Sequence, residues 1–95
     1  MTTPVELDLR SRPRLPKGVK LKHDEVRARW TLLAPERIFE IDATAATVLE
    51  LCDGERDLEA IVAELAGRYN APAAVIEKDV VAMLADLKAK RVLET

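Results

Sequence analysis

The stretch WTLLAPERIFEID, Trp30–Asp42, holds two short apolar runs, Trp30–Leu33 and Arg37–Ile41. Between them lies Ala34-Pro35-Glu36. A proline there fixes φ at the first corner of a turn, so the runs read as the two arms of a tight β-hairpin. The second arm ends at Asp42, whose carboxylate is placed to cap a helix starting next. Trp30 and Leu32 share one face of the first arm. On the second, Phe39 and Ile41 share one face, and Ile38 and Glu40 the other. A strand with apolar residues on both faces is either covered twice or left open on one side for something else.

Upstream, Val19-Lys20-Leu21-Lys22-His23 alternates apolar and polar, the period of a half-exposed strand with Val19 and Leu21 inward. Asp24–Ala28 would connect it to a strand over Arg29–Leu33. Downstream the period changes to helical. Ala45, Val48, Leu49 and Cys52 predict a helix over Ala43–Cys52, stopped by Asp53-Gly54. Asp57 caps a second helix with the stripe Leu58, Ile61, Val62, Leu65 and Tyr69, ended by Asn70 and followed by Pro72. A third helix is predicted over Ala73–Lys90, with the stripe Ile76, Val80, Met83, Leu84 and Leu87. Glu77 and Asp79 near its start and Lys88, Lys90 and Arg91 at its end suit the helix dipole. Val92-Leu93 is expected to fold back onto the body. The fold class is therefore α+β: a winged helix-turn-helix, with a three-stranded antiparallel sheet followed by three helices.

The chain has 95 residues, enough for one domain with a real core. Residues 1–14 show no periodicity and contain Pro4 and Pro13. They read as a flexible N-terminal arm, with the domain over 15–95. Aromatic residues are 3% of the chain, so the core must be aliphatic. No apolar run approaches the roughly 18 residues of a membrane span, and no signal pattern opens the chain. The single cysteine excludes an internal disulfide and suits the cytoplasm. Net charge is −2, but eight bases and two acids lie between Arg10 and Arg29, and acids outnumber bases by thirteen to seven from Trp30 onward. Such a basic front attracts an acidic partner or is a solvated arm.

Residues for chemistry are scarce. Cys52 falls on a buried stripe and reads as core. His23 has no serine or cysteine placed to need it, and no metal-ligand cluster can be assembled. The three glycines are too far apart for a phosphate loop. Trp30 reads as a core plug. Neither an enzymatic activity nor a cofactor is expected. A helix-turn-helix raises the reading of a DNA-binding regulator, with Ala73–Lys90 as recognition helix. Glu77 and Asp79 would then sit where base contacts begin and repel phosphates, so nucleic acid is disfavoured. A strand at the sheet edge offers another use. On a meander order Arg37–Ile41 is an edge strand, and an extended peptide can add to it. Arg37, Ile38, Phe39, Glu40 and Ile41 would supply the main-chain bonds. Val81, Leu84, Ala85 and Lys88 of the third helix would wall the groove, unless that helix covers the edge instead.

Arg12-Pro13-Arg14-Leu15, the Val19–Asp24 strand, Trp30–Arg37 (WTLLAPER), Ile41-Asp42, Asp53-Gly54 and Asp79-Val80 together resemble the PqqD family of pyrroloquinoline quinone biosynthesis. The match runs from about Arg12 to Leu93, and WTLLAPER is its most specific part. The resemblance implies a non-catalytic peptide chaperone. Such a chaperone binds the precursor peptide PqqA and presents it to PqqE, a radical S-adenosylmethionine enzyme that joins a glutamate to a tyrosine. In the wider group of peptide-recognition domains the leader lies beside strand three and against helix three. On this sequence those elements are Arg37–Ile41 and about Val75–Lys88. Family members also occur fused to PqqC or PqqE, so this chain is expected to be free-standing or cut from a fusion.

Overall fold

The computed structural model describes residues 8–95. Its sheet is made of β1 (Lys20–Asp24), β2 (Arg29–Ala34) and β3 (Arg37–Ile41), antiparallel and in the order β1-β2-β3. Three helices follow: α1 (Ala43–Glu50), α2 (Leu58–Tyr69) and α3 (Ala73–Ala89). This is the winged helix-turn-helix order expected from the chain. β1 begins one residue later than its alternation suggests, because Val19 is held in the preceding turn, its N–H donating to the Pro16 carbonyl at 3.0 Å. α1 stops two residues early, and Cys52 N–H closes the end on Leu49.

The β2–β3 turn is only Pro35 and Glu36, since Ala34 is paired with Arg37. Proline holds the first corner at negative φ and Glu36 takes the second at φ 64, the type II pattern that glycine normally fills. The register then follows. Leu32 faces Phe39 on one side and Leu21 on the other, and Leu32 is fully buried. Burying a leucine of that kind contributes about 1.5–3 kcal/mol. The inward row of the sheet packs on α1, and the core continues through Leu58, Ile61, Leu65, Leu84 and Val92. Trp30, expected as a core plug, is only half-buried. The register places it at the sheet end away from Pro35, against His23, with ring centroids 4.5 Å apart.

Helix limits are set by side chains and by chain ends. Asp42 accepts from Ala45 N–H at 2.7 Å to start α1, and Asp57 accepts from Ala60 N–H at 2.8 Å to start α2. Two further first-turn donors of α2 are satisfied by the N-terminal segment: Leu58 N–H by the Ser11 carbonyl at 2.8 Å, Glu59 N–H by the Leu9 carbonyl at 3.0 Å. Arg14 and Glu94 exchange main-chain bonds at 2.8 and 3.0 Å and add a side-chain ion pair at 3.0 Å. The arm expected to be flexible over 1–14 is thus tied down from Leu9 to Arg14, because α2 has donors that nothing else fills. Residues 1–7 of that arm lie outside the described residues. At the other end, Arg91 turns left-handed at φ 64, and Val92 N–H donates back to the Leu87 carbonyl at 3.1 Å. That closure drives Val92 and Leu93 into the core, as the apolar tail suggested.

Candidate functional site

The two sheet edges differ. Lys20 and Lys22 alternate along β1, and charged edge positions discourage pairing with another strand. β3 instead leaves the apolar Ile38 exposed, with the charged Arg37 and Glu40 near it. Among the described residues no strand pairs with its outer side. Ala34 and Arg37 form the narrow pair of a two-residue hairpin, and pairing alternates from there. Leu33–Ile38 and Thr31–Glu40 are then the wide pairs. The N–H and C=O groups of Ile38 and Glu40 therefore point away from β2, into the open edge. The Ile38 side chain stands 72% exposed on the outer face. Glu40, on that same face, is held by Arg29 at 2.8 Å.

The other face of β3 turns to the core, and its Arg37 end reaches the C-terminal end of α3. Phe39 and Ile41 are partly buried against the core. The Arg37 guanidinium lies 5.3 Å from the centre of the Phe39 ring, and its Nη2 donates to the Lys90 carbonyl at 2.6 Å. That contact fixes the start of β3 at the C-terminal end of α3. The end of β3 leads through Asp42 into Thr44, which borders an open cavity of about 210 Å3 with Ile76, Asp79, Val80 and Met83 of α3. β3 and α3 therefore run in opposite senses, with the cavity at one end of the groove and Arg37 at the other. The cavity floor is Val48, Leu65 and Val80, all buried. Tyr69, Thr44 and Asp79 give it a polar rim.

At 100° per residue, Ile76, Asp79, Met83 and Lys90 share one flank of α3, and Glu77, Val81, Ala85 and Lys88 the opposite one. Ile76, Asp79 and Met83 of the first flank line the cavity with Thr44 and Val48 of α1 and Leu65 and Tyr69 of α2. The second turns to α2 and the chain ends: Glu77 borders α2 with Leu9, and Lys88 donates to Thr95 Oγ1 at 2.9 Å beside Pro16 and Leu93. Leu84 is fully buried and belongs to the core rather than to a groove wall. Val75 is 54% exposed in the first turn. Of the expected site residues, Arg37–Ile41 lie together along one edge. Val81, Ala85 and Lys88 lie on the α3 flank opposite Ile76, Asp79 and Met83. Ile76, Asp79 and Met83 border the cavity that begins at Thr44. In the sequence Ile76 and Met83 read as stripe residues, and Asp79 as a dipole partner, a phosphate-repelling position and part of the Asp79-Val80 match.

Reactive groups do not gather here. Burial, with a smaller push from the Asp53 carboxylate, raises the Cys52 thiol to about 12, so it stays protonated and unreactive. Among the described residues no group of three or more His, Cys, Asp or Glu is placed to hold a metal, and no helix is long and apolar enough to cross a membrane.

Comparison with known proteins shows what the chain is similar to. The family model described as Coenzyme PQQ synthesis protein D (PqqD) matches residues 29–93. A PqqA binding protein of Rhodopseudomonas palustris strain TIE-1 is 55% identical over 80 residues, which is 84% of this chain and 78% of the relative. The bifunctional coenzyme PQQ synthesis protein C/D of Methylorubrum extorquens is 51% identical over 82 residues, 86% of this chain and 22% of that fusion. Among solved structures, the NMR structure of the PqqD truncation of Methylobacterium extorquens PqqCD matches with a TM-score of 0.85 at 47% identity. That match covers 97% of this chain and 98% of the other, which is described as a functional, stand-alone recognition element for ribosomally synthesised and post-translationally modified peptides.

Proposed function

Because the chain belongs to the PqqD family, we propose that it is a non-catalytic chaperone that binds the PqqA precursor peptide and presents it to PqqE in the cytoplasm. The observation that carries this is the open β3 edge, with the Ile38 and Glu40 main-chain groups directed outward and an apolar cavity beginning at Thr44 beyond the strand's end. An extended peptide laid there gains strand bonds from Ile38 and Glu40. Its alternate side chains point into the groove between Arg37, Phe39 and Ile41 on one side and Ile76, Asp79 and Met83 on the other. Ile38 gains a cross-strand neighbour on the outer face. Val75 stands at the groove margin. Val81, Ala85 and Lys88 support α3 from its far flank, and Leu84 from the core. Chemistry takes place on the partner enzyme, and the chaperone raises the effective concentration of peptide there.

An amide NMR titration with PqqA tests the reading. Saturable shifts at Arg37–Ile41, Thr44 and the Ile76–Met83 flank are expected. Shifts confined to the basic Arg10–Arg29 segment would reduce binding to a loose charge encounter, and none at millimolar peptide would overturn it. Duplex DNA at low salt is the control. Steeply salt-dependent binding there would favour the regulator reading instead.

A further inference from the structure

The groove is not electrically uniform, and this bears on which peptide segment it takes. Arg29, Arg56 and Arg68 each meet a carboxylate, at 2.8, 3.3 and 2.8 Å. Arg37 is held at two points, but by a carbonyl and an aromatic ring, and neither neutralises it. Among the described residues no carboxylate pairs with it. One Nη2 hydrogen is spent on Lys90, and the rest of the five-donor fork is free beside the strand edge. The opposite end of the groove carries Asp79 on the cavity rim.

We infer that Arg37 is the carboxylate receptor of this groove: the bound peptide places an Asp or Glu against it and so fixes its own register. The inference rests on the strand-addition reading above. A peptide strand covering the Phe39 side of β3 strips water from the guanidinium. An apolar or basic residue at that position leaves a desolvated, unpaired cation, whereas a carboxylate gives a bidentate, charge-assisted pair. Slippage by one residue turns the carboxylate to the outer face, so the pair selects register as well as sequence. Distance sets the spacing. From Lys90 to Val80 along α3 is about 15 Å at 1.5 Å per residue. An extended chain covers that in roughly four to five residues, and two side chains on one face require an even separation. The carboxylate therefore lies about four residues from the apolar side chain that enters the cavity. Asp79 at the far end repels a second carboxylate there and disfavours the reversed polarity.

The experiment is a double-mutant cycle on the whole protein. Wild type, Arg37→Gln and Arg37→Lys are titrated with PqqA and with PqqA variants in which each Asp or Glu is amidated singly. Arg37→Gln is expected to weaken binding roughly tenfold or more. One amidated position weakens wild type by a similar factor and leaves Arg37→Gln unaffected. Arg37→Lys recovers only part of the affinity, because the fork is lost while the charge stays. Amide spectra of the free variants check that the groove is intact. Wild-type affinity in Arg37→Gln, or no single carboxylate coupled to it, overturns the inference while leaving strand addition standing. A wild-type protein that binds no PqqA overturns both.

Discussion

At the scale of single residues, Arg91 carries a conformation that glycine usually supplies. Its φ of 64 closes α3 in a Schellman arrangement, with Arg91 N–H on the Lys88 carbonyl and Val92 N–H on that of Leu87. Arg91→Gly is expected to stabilise the fold by about 0.5–1 kcal/mol, read as a higher midpoint in urea without a change of slope. Cys52 behaves differently. An unfolded chain ionises this thiol near its ordinary value of 9.0, and the folded chain holds the proton up to about 12. Unfolding therefore releases a proton between those values, and stability that is fully present below pH 9 falls as pH rises. The slope is at most about 1.4 kcal/mol per pH unit. Cys52→Ala removes that contribution. Paired urea melts at pH 8 and at pH 10.5 should show a smaller alkaline loss for the variant than for the wild type. An equal loss would mean that other groups dominate the alkaline limb.

At the scale of elements, β3 alternates in its hydrogen bonding as well as in its side chains. Arg37, Phe39 and Ile41 spend their main-chain groups on β2, while Ile38 and Glu40 offer theirs to the edge. Peptide addition should therefore slow hydrogen exchange at Ile38 and Glu40 far more than at Phe39, which is already protected. Uniform protection along the strand would instead indicate global stabilisation without strand pairing. The hairpin was legible in the sequence because Pro35 fixes a turn within four residues, and the β3 limits came out as expected. The groove wall was less legible. A helical stripe identifies the buried line Val80, Leu84 and Leu87, but both flanks of that line look alike in sequence. The flank that lines the cavity carries Ile76, Asp79 and Met83, and only the neighbours of each flank distinguish it from Val81 and Ala85.

At the scale of the whole molecule, the two chain ends hold the helical half together. Carbonyls of Leu9 and Ser11 cap α2, that of Pro13 receives Gly54 N–H at 3.0 Å, and Arg14 is zipped to Glu94. Pro13 itself is fully buried. Deleting residues 1–14 leaves the first donors of α2 without partners and uncovers part of the core. A loss of a few kcal/mol is expected, on the order of one per lost hydrogen bond plus the uncovered apolar surface. Denaturant melts of the full and shortened chains measure it. Unchanged stability would show that water replaces these carbonyls without cost. The strap bonds to α2, Gly54 and Glu94 rather than to β3, so residual folded protein should keep its peptide affinity.

The sequence by itself determined the elements and the core. Caps at Asp42 and Asp57, the left-handed stop at Asn70, the turn at Pro35 and the two apolar periods all act within a few residues, where local sterics and hydrogen bonding settle the outcome. Only the tertiary structure decided that Leu9 and Ser11 cap α2, that Trp30 lies half-buried at the sheet end, and that Arg37 reaches the end of α3. Each of those depends on which donors and surfaces distant segments leave unfilled, and no local period encodes that.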